Sequence, residues 1–279
     1  MPLTPTSEIV APAAAQGRGV GAFNVIQLEH AQAIAIGAQA ANAPVILQIS
    51  ENAVRYHGGL AAIGRAALTV AEAATVPVAV HLDHATDPAL VAEAVALGFG
   101  SVMFDASTLP YEENVKATAE VVARCHAAGC WVEAELGEVG GKDGVHAPGA
   151  RTVPAEAAAF VAATGVDALA VAVGTSHAML TRDAALDFEL IAELRVAVPV
   201  PLVLHGSSGV SDPHLTTAVE RGMTKVNIAT HLNGVFTGIV RAALAEDERL
   251  VDPRRYLGPA RTATALEVGR LLQVLKAGY

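Results

Sequence analysis

Apolar and polar positions along this chain fall into one recurring unit: an Ala-rich segment, a Gly or Pro break, then a short run rich in Val, Ile and Leu. The runs occupy residues 19–25, 45–49, 78–83, 100–105, 131–137, 168–174, 201–206 and 225–230. Apolar runs with little alternation suit strands buried on both faces, and Ala-rich stretches favour helix. Gly98, Gly129, Gly165 and Gly222 stand where a helix end takes a left-handed residue. Pro44, Pro77 and Pro199 stop helices just before the next strand.

Eight such units in 279 residues predict a parallel sheet, closed most simply as one α/β domain, a (β/α)8 TIM barrel spanning 1–279. An open doubly wound sheet would carry a dinucleotide fingerprint after the first strand. Gly19-Val20-Gly21-Ala22-Phe23-Asn24 lacks the third glycine and runs into a strand. The longest stretch without a periodic pattern, 137–154 (GEVGGKDGVHAPGARTVP), follows the fifth strand and is expected to be a mobile active-site loop.

Composition removes several function classes. Hydrophobic residues make up 52%, charged residues 16% and aromatics 4%, so the core is built from Ala, Val, Leu and Ile. A net charge of −10 without any Lys/Arg run argues against a nucleic-acid partner. Any phosphate has to be held by local donors, not by a global positive field. Cys125 and Cys130 match no zinc-finger spacing and read as buried reduced thiols. MPLTPTSEIVAPAAAQG lacks the basic and apolar regions of a signal peptide, and no apolar run reaches a membrane span. A cytoplasmic protein is expected.

The chemistry-bearing residues gather at strand ends, where a TIM barrel keeps its active site. His84 follows the third strand, Glu135 ends the fifth, His177 follows the sixth and His205 ends the seventh. Three imidazoles with an open fourth position make a catalytic zinc set. In His81-Leu82-Asp83-His84, strand alternation puts His81 and Asp83 on one face and His84 on the other. His84 turns to the mouth only if the strand ends at Asp83, so the period leaves both histidines as candidate ligands. Asp83 reads equally as a general acid/base and as a partner orienting a histidine. Glu133 and Glu135 share a face of the fifth strand.

After strands seven and eight, Gly206-Ser207-Ser208-Gly209 and Asn227-Ile228-Ala229-Thr230 offer small residues and hydroxyls suited to a phosphate. Ser211-Asp212-Pro213 reads as a helix start. A Lewis-acid metal beside a phosphate pocket and a carboxylate suits proton abstraction next to a carbonyl. The chain has four lysines, Lys116, Lys142, Lys225 and Lys276. None ends a strand at the expected mouth, and Lys225 starts the eighth strand at the opposite end, which disfavours a lysine imine.

At these residues the chain resembles the class II, zinc-dependent ketose-bisphosphate aldolases, which act on fructose or tagatose 1,6-bisphosphate. The resemblance rests on HLDH (81–84), VEAELG (132–137), GGKDG (140–144), GTSHA (174–178), VLHGSSG (203–209) and KVNIAT (225–230). It implies His84, His177 and His205 as zinc ligands, with Glu135 near an alternate metal position, and a place in glycolysis. Cobalt or another divalent ion would suit the same imidazoles, and a monovalent cation can accompany them. Asp83 would exchange a proton with the C4 hydroxyl of the open-chain sugar. Asp143, where the family usually has Glu, would return a proton from the mobile loop. Asn24, Ser50, Ala178 (often Gly in the family), Gly206, Ser207, Ser208 and 227–230 would contact substrate, Ala229 standing where some members carry an acidic residue. Arg254 and Arg255 are the candidates for the second phosphate, since Arg suits bidentate phosphate contacts. The family also implies a homodimer or homotetramer. Two other readings share the pattern: a barrel metallohydrolase, and a non-catalytic barrel subunit that stabilises a partner.

Overall fold

The computed structural model describes residues 2–136, 151–175 and 181–278. Its strands are β1 (Val20–Asn24), β2 (Val45–Ser50), β3 (Val78–Ala85), β4 (Ser101–Phe104), β5 (Trp131–Glu135), β6 (Ala168–Ala170), β7 (Leu202–Leu204) and β8 (Met223–Ile228). They pair in parallel in sequence order, and β8 pairs back with β1, closing the barrel that the sequence predicts. The helices between them are α1 (Thr6–Ala15), α2 (Leu28–Ala41), α3 (Glu51–His57), α4 (Ala61–Ala73), α5 (Pro88–Leu97), α6 (Tyr111–Ala127), α7 (Pro154–Thr164), α8 (Phe188–Ala197), α9 (Asp212–Arg221), α10 (Thr230–Glu246) and α11 (Arg254–Val274). The glycine breaks act as expected: Gly98 and Gly165 take φ of 94° and 71° at the ends of α5 and α7. Such φ values strain any residue with a Cβ.

Each strand divides its side chains by the two-residue period. Outward residues such as Phe23, Leu47, Leu82, Val132 and Leu204 join the large apolar cluster under the helices. Inward residues change character along the barrel axis. At the N-terminal end Val20, Ala22, Ile46 and Ala79 form an apolar floor, closed from below by Ile9, Val10 and Ala13 of α1 and by Trp131. The Ala-rich segment ahead of the first run forms this helix. Its footing is a bridge between Leu3 and Val78 and a hydrogen bond between the Thr6 and Ser101 hydroxyls (2.6 Å).

Above the floor the interior turns polar. Gln48, His81, Ser101, Glu133 and Lys225 are all fully buried inward residues. Barrel interiors are ordinarily layers of branched apolar side chains, so a polar layer here requires internal partners. His81 Nδ1 pairs with Ser101 Oγ at 2.8 Å, and Lys225 pairs with Glu133. The expectation that Lys225 lies at the wrong end of the barrel is therefore corrected. It is the third residue of β8, and its long stem carries the ammonium toward the catalytic end.

A second correction concerns β3, which does not end at Asp83. It continues to Ala85 with a register shift between Leu82 and Ala85, and His84 takes a positive φ of 50°. This bulge breaks the alternation, so consecutive residues Asp83 and His84 both reach the mouth. A non-glycine residue in that conformation costs roughly 1–3 kcal/mol and is found where function demands it.

Candidate active site at the strand ends

Asp83, His84 and His205 converge at the C-terminal mouth, with ligand-capable atoms all within 4.8 Å of one another. Nε2 of His84 lies 2.9 Å from Nδ1 of His205, and the rings meet nearly edge-on at 87°. Each outer ring nitrogen is held by a carboxylate. His84 Nδ1 meets Asp105 Oδ2 at 2.8 Å, and His205 Nε2 meets Glu133 Oε1 at 2.8 Å. Carboxylates holding the outer nitrogens leave the inner ones facing a shared point, as in carboxylate–histidine–zinc sites. Two nitrogens bonded to one tetrahedral zinc stand about 3.3 Å apart, close to the spacing found here. The donor set therefore fits a divalent cation. His81 lies deeper, bonded to Ser101, so His84 is the histidine of the HLDH segment that joins the cluster.

Asp83 is buried, with Asn24 Nδ2 3.3 Å from Oδ2 and Asn227 Nδ2 3.4 Å from Oδ1. Asn24 is fixed in turn by Gln48 Nε2, 2.7 Å from its Oδ1. Ser50, opposite Asp83 in the β2–β3 register, caps α3 by accepting from the Ala53 amide. Glu135 is buried beside His84 and Asp105, forming a second group of potential metal donors.

The two loops proposed for phosphate are tied together. Gly206 takes φ 66° ahead of a single 3-10 turn, Ser207–Gly209. The Ser207 hydroxyl donates to the Asn227 carbonyl, and the Ala229 amide donates to Ser208 Oγ at 3.2 Å. Ile228 ends β8 and Thr230 opens α10, whose N-terminus has no side-chain cap. Arg254 is set apart from this cluster. It opens α11 with a side chain 90% exposed and bonded to Asp252. His177, Ala178 and Asp143 lie outside the described residues, as do residues 137–150 of the expected loop.

Residues 4–278 match the family model described as fructose-bisphosphate aldolase class-II. The chain belongs to that family. A fructose-bisphosphate aldolase of Staphylococcus aureus is 41% identical, over 94% of this chain and 93% of that protein. One from Thermus caldophilus is 40% identical, over 92% of each. Among solved structures, the YdjI aldolase from Escherichia coli K12 is similar at 31% identity and a TM-score of 0.86, covering 99% of this chain and 98% of that one.

For this class II aldolase-family chain, the structure adds residues that the motifs alone did not single out. Asp105 immediately follows β4 and also accepts from the Ser107 amide and hydroxyl. The strand-end rule that flagged Glu135 and His205 applies equally to Asp105, the last residue of the 100–105 run. Gln48 and Lys225 are further in; no motif covers Gln48, and Lys225 opens the KVNIAT segment without a role assigned to it.

The electrostatics explain how the aldolase-family site waits for a cation. Burial pushes the His84 pKa down, but the Asp83 charge, the Asp105 hydrogen bond and Glu135 outweigh it and raise it to about 10. For Asp105, burial opposes ionisation, yet the His84 hydrogen bond and charge hold its carboxyl well below the usual range. Burial first, then the His84 charge, push His205 well down. Without metal, a proton on His84 Nε2 thus bridges to a neutral His205. The His84 pKa is thus raised above the ordinary histidine value of 6.5. Its stabilising contribution is fully present below that value and is lost as pH rises toward 10. A cation must displace the same proton. Zinc uptake at pH 7.5 is expected to release about one proton per site from this pair, read by calorimetry in buffers of different ionisation enthalpy. Uptake without proton release would contradict the bridged pair.

Proposed function

We propose that this chain reversibly cleaves fructose 1,6-bisphosphate to dihydroxyacetone phosphate and glyceraldehyde 3-phosphate at a divalent-metal site. The observation that carries the reading is the pair of facing nitrogens on His84 and His205, with Asp83 beside them. His177, from the loop after β6, completes the proposed ligand set, with Glu135 as an alternate donor. A bound zinc ion would withdraw electron density from the C2 carbonyl and stabilise the negative charge left by bond breakage.

The chain's own residues supply the rest. Asp83 takes the C4 hydroxyl proton, which lets the C3–C4 bond break and the aldehyde form. The amides of Asn24 and Asn227 hold Asp83 by long hydrogen bonds, fixing its direction while leaving it lone pairs for the substrate. Ser207, Ser208 and the uncapped start of α10 from Thr230 receive a substrate phosphate, because unpaired backbone N–H groups there favour an anion. Asp143 returns the proton to carbon from the 137–154 loop. Arg254 faces the second phosphate only if a movement or a partner chain brings it there. A homodimer or homotetramer is therefore part of the proposal, as is a cytoplasmic setting. No helix among the described residues is long and apolar enough to cross a membrane.

Chelation tests the reading. EDTA is expected to abolish cleavage and added zinc to restore it, while borohydride with dihydroxyacetone phosphate leaves activity intact. Cleavage that survives full metal removal, or trapping by borohydride, would overturn it. Kinetics on fructose and tagatose 1,6-bisphosphates side by side separate the C4 epimers.

A further inference from the structure

The barrel interior holds a charged pair to which the proposed mechanism gives no substrate contact of its own. Lys225 and Glu133 are fully buried, with Nζ and Oε2 2.8 Å apart. A buried ion pair is rarely more stabilising than apolar side chains of the same volume, so its value lies in what it orients. The Lys225 ammonium has only N–H groups to offer. It donates to Asn227 Oδ1 at 2.8 Å, so the Asn227 amide must turn its Nδ2 the other way, toward Asp83 Oδ1 at 3.4 Å and beside His205 Nε2 at 3.2 Å. The same ammonium neutralises Glu133 at Oε2, where His81 Nε2, at 3.9 Å, is too distant to bond. Glu133 Oε1 then faces His205 Nε2 at 2.8 Å. At 2.8 Å the charged carboxylate, which accepts, outcompetes the neutral Asn227 amide at 3.2 Å for Nε2, so Nε2 carries the hydrogen and Nδ1 presents its lone pair toward His84.

We infer that Lys225 is a positioning residue with two arms: through Glu133 it fixes the tautomer of His205, and through Asn227 it fixes the amide direction at Asp83. One side chain thereby sets both the metal-facing nitrogen and the proton-accepting carboxylate. The inference rests on the metal reading above and adds the residue that orients its ligand from beneath.

Two variants test it. Lys225→Met removes charge and donors at similar volume, but strands the Glu133 carboxylate. Lys225→Met/Glu133→Gln removes both charges, and the new amide can either donate to His205 or accept from it. Zinc affinity is read by competition with a chromophoric chelator. The His205 tautomer is read by nitrogen-15 spectra of histidine-labelled, metal-free protein. Wild type is expected to show one tautomer with hydrogen on Nε2. Lys225→Met is expected to bind zinc about 10–100-fold more weakly, the usual cost of losing an outer partner of a ligand. The double variant is expected to regain wild-type Tm, yet keep the weak zinc binding, a mixed His205 tautomer and a lowered kcat. A purely structural ion pair would be rescued in every respect, so a double variant with wild-type zinc affinity and a single Nε2–H tautomer overturns the inference. If Lys225→Met does not fold, the double variant decides. If wild type binds no zinc, the metal reading fails and the metal-free spectra still decide the tautomer claim. If wild type and Lys225→Met bind zinc equally, this inference alone fails.

Discussion

Asp83→Ala is expected to keep its zinc and lose turnover by about 100- to 10,000-fold, the range that positioned general acid/base catalysis supplies. Asp83 touches the cluster but is not held as its ligands are. Its oxygens face the amides of Asn24 and Asn227, whereas each histidine is aimed by a carboxylate behind it. The two amides, left without their acceptor, can bond water in the enlarged mouth, so the loss of stability should be small. Metal content by atomic absorption and kcat by coupled triose detection give the two readouts. Loss of metal together with activity would make Asp83 a structural partner of the site and remove it from proton transfer.

The second large effect belongs to His205. His205→Gln is expected to weaken zinc binding more than about 100-fold, beyond the 10–100-fold typical of outer-shell partners, and to abolish detectable cleavage without added metal. The glutamine amide still offers an N–H to Glu133 Oε1, which keeps that buried oxygen paired. His205→Ala leaves it unpaired and should cost roughly 1–3 kcal/mol of stability in addition. The difference in Tm between the two variants therefore isolates the Glu133 contact, while zinc affinity falls in both. A His205→Gln variant that still binds zinc tightly would place the cation elsewhere, for instance among His84, Asp105 and Glu135.

The barrel was legible because its strands are buried on both faces. The runs at 45–49 and 78–83, which lie within β2 and β3, needed no alternation analysis, only length and the proline before them. His205 and Glu135 were legible because a polar residue ending such a run has few bland explanations. The HLDH segment was not resolved, because alternation assumes a regular strand and His84 sits in a bulge with positive φ. Lys225 was misplaced for a different reason. Its backbone is indeed low on β8, but a four-carbon stem lying along a polar interior carries the ammonium up to Asn227 and Glu133. Glu133 was seen as sharing a face with Glu135, yet its bond to His205 joins residues 72 apart in sequence, which no local pattern encodes. Helix α1 is apolar over most of its length (Ile9, Val10, Ala11, Ala13, Ala14 and Ala15), so no amphipathic stripe marks the face it buries. Its packing comes from filling the end of the barrel rather than from a strong amphipathic stripe.

That small helix has a consequence for the chemistry at the far end. With Ile9, Val10 and Ala13 corking one opening, solvent enters the shaft from a single side. A sugar phosphate seated across the strand ends would shut the remaining door and exclude water from the mouth above the Lys225–Glu133 couple, itself already fully buried. Charges in a drier enclosure act on each other more strongly, so arrival of the reactant would itself stiffen the scaffold that aims His205.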